Sequence, residues 1–244
     1  MLGKQATMRK VLVTRPQEDQ QQTREALADL DIEAVCSPVM AVVRLPFCLP
    51  ETDLQAVVVT SRNALRMLDA DQLARLHRMP LYCVGGQTEG LARQLGFGTI
   101  GAVAVDVAQL LADLPQLLSP AGGPLLYLSG KHRSGSLANT LEAHHFDVTL
   151  LEVYEMAARG SLTAAALSAI GDKSLDGVLL YSQRTSQLLL SLIEHYRLED
   201  AMRALTFFCL SPTVAAPLKG RGYSLVVAKA PNEGSLLECV KNRP

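Results

Sequence analysis

The feature that most constrains this chain is a regular alternation. Short apolar runs end in Ser, Thr or Gly, and each is followed by a segment of helix formers. Runs such as Ala56–Val59 and Leu125–Leu128 are apolar at every position. A strand with one wet face would alternate apolar and polar residues, so continuous apolar runs point to strands buried on both faces of a parallel sheet. Parallel neighbours need crossovers, and the helical segments supply them. In order, strands are expected at Val11–Thr14, Ile32–Val35, Ala56–Val59, Leu81–Val84, Thr99–Val103, Leu125–Leu128, Phe146–Tyr154, Gly177–Tyr181, Leu205–Leu210 and Leu225–Ala228. Helices are expected over 17–30, from Asn63 toward Leu73, and over 88–95, 107–118, 134–144 and 161–170. Three more follow: from Ser182 to His195, after Pro212 to Lys219, and from Asn232 to Val240. The expected class is α/β, with doubly wound parallel sheets.

A weak internal repeat refines this picture. VVVTSRNAL (57–65) is similar to VLLYSQRTS (178–186), YCVGGQTEGLARQLGF (82–97) to FCLSPTVAAPLKGRGY (208–223), and VLVTRP (11–16) to LLYLSG (125–130). The order is shuffled, which a discontinuous domain explains. Residues 1–36 then belong with 161–244, and 47–149 form a second, inserted domain. Two crossings need two linkers. The stretches 37–46 and 150–160 have that character, each a strand-like run next to a small or polar segment. Tyr154 lies in the second. It reads either as a packed strand residue or as a phenol facing a cleft between the two blocks.

Composition excludes several classes. The 244 residues carry a formal net charge of −1, which gives no global attraction to nucleic acid or to a membrane surface. No run approaches the ~18 apolar residues of a membrane-spanning helix. The start has no signal-peptide core, and Met8 is a second candidate start, since the first strand begins only at Val11. The five cysteines (Cys36, Cys48, Cys83, Cys209 and Cys239) are odd in number, form no CxxC, and mostly sit beside apolar runs. They read as free thiols of a cytoplasmic protein. None of the five histidines pairs with Cys or Glu at metal-ligand spacing, so no metal is expected. VGGQTEG is not a GxGxxG fingerprint, and there is no Walker pattern and no GxSxG elbow.

Ligands of open parallel sheets bind at the carboxyl ends of the strands. Here those ends are Thr14-Arg15, Thr60-Ser61, Gly85-Gly86-Gln87-Thr88, Ser129-Gly130-Lys131, Ser182 and Ser211-Pro212-Thr213. Each precedes a helix, whose free N–H groups and dipole favour anions. Each is equally what ordinary helix capping selects. Lys131, His132 and Arg133 form the densest basic cluster, read either as a solvated helix start or as an anion clamp.

The same residues carry a family resemblance. VLVTRP at 11–16, VVVTSRNAL at 57–65, CVGGQTEGLARQLGF at 83–97, LLYLSG with its downstream basic pair, LLEVYEM at 150–156 and VLLYSQRTSQLLL at 178–190 together resemble the uroporphyrinogen-III synthases. The resemblance covers essentially the whole length. It implies two flavodoxin-like α/β domains joined by a two-stranded antiparallel linker. It implies a lyase of tetrapyrrole (porphyrin, heme) biosynthesis that uses neither metal nor cofactor. The substrate would be hydroxymethylbilane, a linear tetrapyrrole with many carboxylates, cyclised with loss of water and inversion of ring D. Tyr154 matches the family's tyrosine, Ser61 and Ser182 its strand-end serines, and Thr88 its VGxxT threonine. With Arg15, Gly85, Gly130, Lys131, Arg133, Ser211 and Thr213, these are the expected substrate-binding groups, and Tyr154 is the expected catalytic one. A phenol with an ordinary pKa of about 10 stays protonated at neutral pH and can donate to a departing hydroxyl. Two departures stand out. Where the family repeats its threonine motif as G-P-T-T-A, this chain has Ser211-Pro212-Thr213-Val214-Ala215, and Ser129 replaces a basic residue. A monomer is expected, with a transient contact to the preceding pathway enzyme left open. The alternatives are a non-catalytic, hinged two-domain binding protein for a small polyanion, and a nucleotide-sugar transferase.

Overall fold

A computed structural model describes residues 9–132 and 137–242. Met8 and Arg133 lie outside the described residues. In chain order the elements are β1 (Arg9–Val13), α1 (Gln17–Ala28), β2 (Ile32–Cys36), β3 (Met40–Arg44), β4 (Ala56–Val59), α2 (Arg62–Arg66), α3 (Ala70–Leu76), β5 (Leu81–Val84), α4 (Gly86–Gln94), β6 (Ile100–Ala104), α5 (Val107–Leu117), β7 (Leu125–Gly130), α6 (Leu137–Ala143), β8 (Val148–Ala158), α7 (Ala164–Gly171), β9 (Gly177–Leu180), α8 (Gln183–Tyr196), α9 (Glu199–Arg203), β10 (Thr206–Cys209), α10 (Pro212–Ala215), β11 (Ser224–Val227) and α11 (Glu233–Lys241). The chain divides into two compact units. One runs up to Ala41 and resumes at Ala157; the other is Val42–Met156.

The first unit holds a parallel sheet in the order β11-β10-β9-β1-β2. Its strands β1, β9 and β10 are buried on both faces, with Val11, Val13, Leu179 and Phe208 packed on one side against Leu27 of α1 and Leu236, Leu237 and Val240 of α11. The second sheet has the order β3-β8-β7-β4-β5-β6. It is parallel from β8 to β6. Only β3 runs against its neighbour: Leu45 N–H donates to Val153 O and Arg159 N–H to Val39 O, so numbering rises on one strand as it falls on the other. The linker strands are therefore not a free ribbon. β8 is a long strand of the second sheet, and β3 is laid along it. One face of this sheet packs Val57, Val59, Leu126, Leu128 and Val153 against α2, α3 and α4. The other packs Ala56, Val58, Leu125 and Tyr127 against α5 and α6.

The shuffled repeat has a topological explanation. Read as β6-β5-β4-β7-β8, the second sheet matches β11-β10-β9-β1-β2 strand for strand. Registers agree as well: Val58 lies beside Tyr127, and the corresponding Leu179 lies beside Val13. The two units share one arrangement with the chain cut at different points. The first reads as the flavodoxin-like order 2-1-3-4-5, the second as 3-2-1-4-5.

Three local expectations are corrected. The segment from Asn63 to Leu73 is two helices, because Asp69 and Gln72 form a reciprocal capping box that starts α3 anew. The helix after Pro212 is α10 followed by a 3-10 turn containing Pro217, whose ring and missing N–H do not suit a helix interior. The short helix α9 was not expected from the sequence.

Gly177, at the start of β9, lies between β1 and β10. A Cβ there would meet Thr206 O and Phe208 Cε2 at 2.6 Å each. A main-chain oxygen in a central strand cannot swing away, so Gly177→Ala should lower stability by about 1–3 kcal/mol in urea denaturation. Burial also pushes the Cys83 thiol from its ordinary 9.0 up to about 11, with Glu89 adding to the rise and Arg93 opposing it; burial alone does the same for Cys209. A raised thiol pKa leaves stability intact below the unfolded value and removes it as pH climbs through the folded one. The melting temperature should therefore fall between pH 9 and 11. Iodoacetamide should modify exposed Cys48 well before Cys83 or Cys209.

Candidate active site

Neighbouring strands whose helices leave to opposite faces open a crevice at their carboxyl ends. In the second unit this happens between β4 and β7, since α2 covers one face and α6 the other. Ser61 follows β4 as the N-cap of α2, its Oγ accepting from Asn63 N–H at 3.2 Å. The Ser61 hydroxyl proton is left for donation, so capping and ligand binding are compatible uses of one side chain. Gly85 turns the chain out of β5 with φ +83°, a left-handed conformation that suits glycine, and its carbonyl accepts from Thr88 N–H at 2.9 Å. Thr88 is buried in the first turn of α4.

Tyr154 is placed by an irregularity in β8. From Leu125 with Val148 to Ser129 with Glu152 the pairing advances one residue at a time, but Gly130 pairs with Tyr154. Val153 is the extra residue of a β-bulge. In a regular strand, with Val153 itself paired to Gly130, Tyr154 would lie on the sheet face opposite Val153. With the bulge, both pack against the cluster of Leu126, Leu128 and Val59. Lys131 closes the bulge, its N–H donating to Tyr154 O at 2.8 Å, while its Nζ pairs with Glu155 at 3.2 Å. The structure thus brings Gly130, Lys131 and Tyr154 together at the end of β7.

In the first unit the corresponding crevice lies between β1 and β9. Arg15 is held there by its own protein. Its Nη1 is 2.8 Å from Glu233 Oε1 and 3.0 Å from Thr23 Oγ1, and its guanidinium stacks 4.2 Å above the Tyr181 ring. The same Glu233 oxygen accepts from Thr23 Oγ1 at 2.6 Å and from Tyr181 OH at 2.9 Å. Burial raises the Tyr181 phenol well above its ordinary value; Glu233 adds to the rise, against Thr23 and Arg15. Tyr181 is therefore a fixed donor. Ser182 caps α8, accepting from Thr185 N–H at 3.1 Å, and Ser211 caps α10, accepting from Val214 N–H at 3.4 Å. Thr213 is exposed, whereas Val214 is buried at the position corresponding to buried Thr88. Thr213 therefore does not occupy the place of the threonine that this chain lacks.

Two hydroxyl groupings escape sequence reasoning. One is the Arg15 network through Glu233, which joins residues far apart in the chain. The other is Tyr127, whose OH lies 3.3 Å from both Thr60 Oγ1 and Ser129 Oγ at the ends of β4 and β7. Their shared face follows from strand period, but their pairing depends on register. A groove of about 670 Å³ beside Thr206, Ser224 and Cys239 lies at the opposite, amino end of β10 and β11 and contains no candidate residue. Among the described residues, no group of three or more His, Cys, Asp or Glu is placed to hold a metal ion.

A profile of the uroporphyrinogen-III synthase HemD family matches residues 21–238. This chain belongs to that family. Family members are lyases that cyclise hydroxymethylbilane, and the chain is an enzyme of that kind. Among solved structures it is similar to the uroporphyrinogen-III synthetase of Helicobacter pylori, with 21% identity, 96% of this chain and 98% of that one covered, and a TM-score of 0.65. It is also similar to a mutant uroporphyrinogen III synthase of the extremely thermophilic bacterium Thermus thermophilus, with 17% identity, 96% and 97% covered, and a TM-score of 0.50. At these identities the likeness is one of fold. No curated protein sequence matches the chain. The family reading selects the synthase over the binding-protein and transferase alternatives.

Removing the Glu233 carboxylate would leave the Arg15 charge and two hydroxyl donors without their common acceptor. Glu233→Ala should cost about 1–3 kcal/mol of stability, read from the urea midpoint.

Proposed function

We propose that Tyr154 is the proton donor with which this chain dehydrates hydroxymethylbilane on the way to uroporphyrinogen III. The phenol gives its proton to the terminal hydroxyl; the C–O bond breaks, water departs, and the pyrrole N–H proton passes to the phenolate, which leaves a reactive azafulvene and restores the phenol. Ring D attacks this azafulvene through its substituted carbon to give a spiro intermediate. The older bond from that carbon to its bridge then breaks and re-forms at ring D's free α-carbon, which loses its proton, and holding the chain for that sequence lowers the barrier by several kcal/mol. The observation that carries this reading is the bulge that turns Tyr154 to the Val153 side of the sheet and sets it beside Gly130 at a strand end.

Ser61, Gly85, Thr88, Gly130, Lys131 and Arg133 in one unit, and Ser182, Ser211 and Thr213 in the other, serve as carboxylate-binding groups. Helix-start N–H groups and hydroxyl donors suit that task. Arg15 joins them through guanidinium N–H groups other than those given to Glu233 and Thr23, with its charge offset by the Glu233 and Asp19 carboxylates. The domains in this reading are 1–36 with 161–244, and 47–149, connected through 37–46 and 150–160. No helix of the described residues is long and apolar enough to cross a membrane, and five unpaired cysteines suit the cytoplasm. The enzyme works as a monomer, and a transient contact with the preceding pathway enzyme would shorten the life of free substrate.

Incubation with hydroxymethylbilane, oxidation and separation of isomers tests the reading. An excess of type III product over the spontaneous type I product is expected. Tyr154→Phe should lower turnover by roughly 10²-fold without abolishing it, the usual scale for loss of a general acid. Unchanged turnover would take the proton-donor role away from Tyr154.

A further inference from the structure

Gly130 is the last residue of β7 and is buried, yet its backbone is not in the left-handed region. No turn geometry therefore calls for glycine there. The reason lies across the strand pair. A Cβ on Gly130 would stand 2.7 Å from Tyr154 Cζ and 3.0 Å from both Cε2 and the phenolic oxygen. The reacting end of the phenol occupies the space that any other side chain would fill. This juxtaposition exists because Val153 is an extra residue: the bulge puts Tyr154 on the face shared by Leu126, Leu128 and Gly130. The two features are complementary, since the bulge turns the ring over β7 and the missing Cβ lets it lie down.

We infer that Gly130 is a positioning residue for the reaction, setting the height and direction of the Tyr154 hydroxyl above β7. The inference rests on Tyr154 as proton donor and gives the missing Cβ of Gly130 a task separate from the carboxylate contact proposed for its backbone, which Gly130→Ala retains. Its mechanical basis differs from that of Gly177. There, an added methyl meets a main-chain oxygen, which cannot yield. At Gly130 it meets the far end of a side chain that is only partly buried, which can rotate away. An added methyl at 130 should therefore move the phenol and spare the fold. A displacement on the scale of 1 Å costs up to about 10²-fold in rate when it misaligns a reacting group.

The test is a cycle of Gly130→Ala, Tyr154→Phe and the two combined, with type III turnover, KM and melting temperature measured for each. Gly130→Ala should lower kcat by about 10- to 100-fold, with KM and melting temperature close to those of the parent. Added to Tyr154→Phe, it should slow turnover by no more than about 2-fold, because the hydroxyl it displaces is already gone. A Gly130→Ala enzyme with parental kcat, or one whose loss multiplies fully with that of Tyr154→Phe, would overturn the inference and leave the donor role standing. Parental turnover in Tyr154→Phe would instead remove the donor role itself. Should Gly130→Ala fail to fold, Gly130→Ala with Tyr154→Ala decides the matter. Recovery of the melting temperature shows that the ring is what the methyl meets, and no recovery refutes the inference.

Discussion

Burial of the central strands on both faces is the constraint from which the rest of this structure follows. In β4, β7, β9 and β10 every side chain is covered, and the backbone groups are paired with parallel neighbours. Such strands have no free surface along their length. Polar chemistry can emerge only where they stop, and there the next helix begins with unpaired N–H groups. Serine, threonine and glycine collect at these ends because the helix needs caps and the chain needs turns. The same groups are donors suited to an anionic substrate. Capping and binding are two uses of one geometry, so the rim residues are uniform in type.

The two units show how far one arrangement can diverge in chemistry. Their sheets correspond strand for strand, with the chain entering at different points. Yet equivalent rim positions are used differently. Ser129 shares a hydroxyl contact with Tyr127 in one unit, whereas Arg15, at the matching position, is clamped by Glu233 in the other. Thr88 brings a buried hydroxyl to the first turn of α4, and Val214 brings a methyl group to the same place in α10. The bulge of β8 belongs to the second unit, and with it the candidate proton donor. The first unit instead spends its polar side chains on internal closure, tying α11 to the ends of β1 and β9 through one carboxylate oxygen.

Much of this was legible in the order of residues. Continuous apolar runs of four residues mark strands covered on both sides, and the helical segments between them leave only crossover connections. The repeat revealed the kinship of the units, and its shuffled order revealed the discontinuity. The strand-end serines could be named as candidates because each follows a recognisable apolar run, and Tyr154 because it stands in a linker-like strand that matches a family motif. Local punctuation was harder to read. The Asp69–Gln72 box that restarts a helix is four residues among many similar ones, and it counts only once the geometry closes both hydrogen bonds.

What the sequence by itself determined was the class of sheet, the strand ends and the chemistry available at them, because these depend on composition and period within a few neighbouring residues. Only the tertiary structure decided which way those groups point and which are already spoken for. The Arg15–Glu233 pair joins residues at opposite ends of the chain, and no local pattern encodes such a partner. The orientation of Tyr154 turns on one unpaired residue in β8. Because side chains alternate with a period of two, that single residue reverses the face, and its presence shows only when two strands are laid side by side.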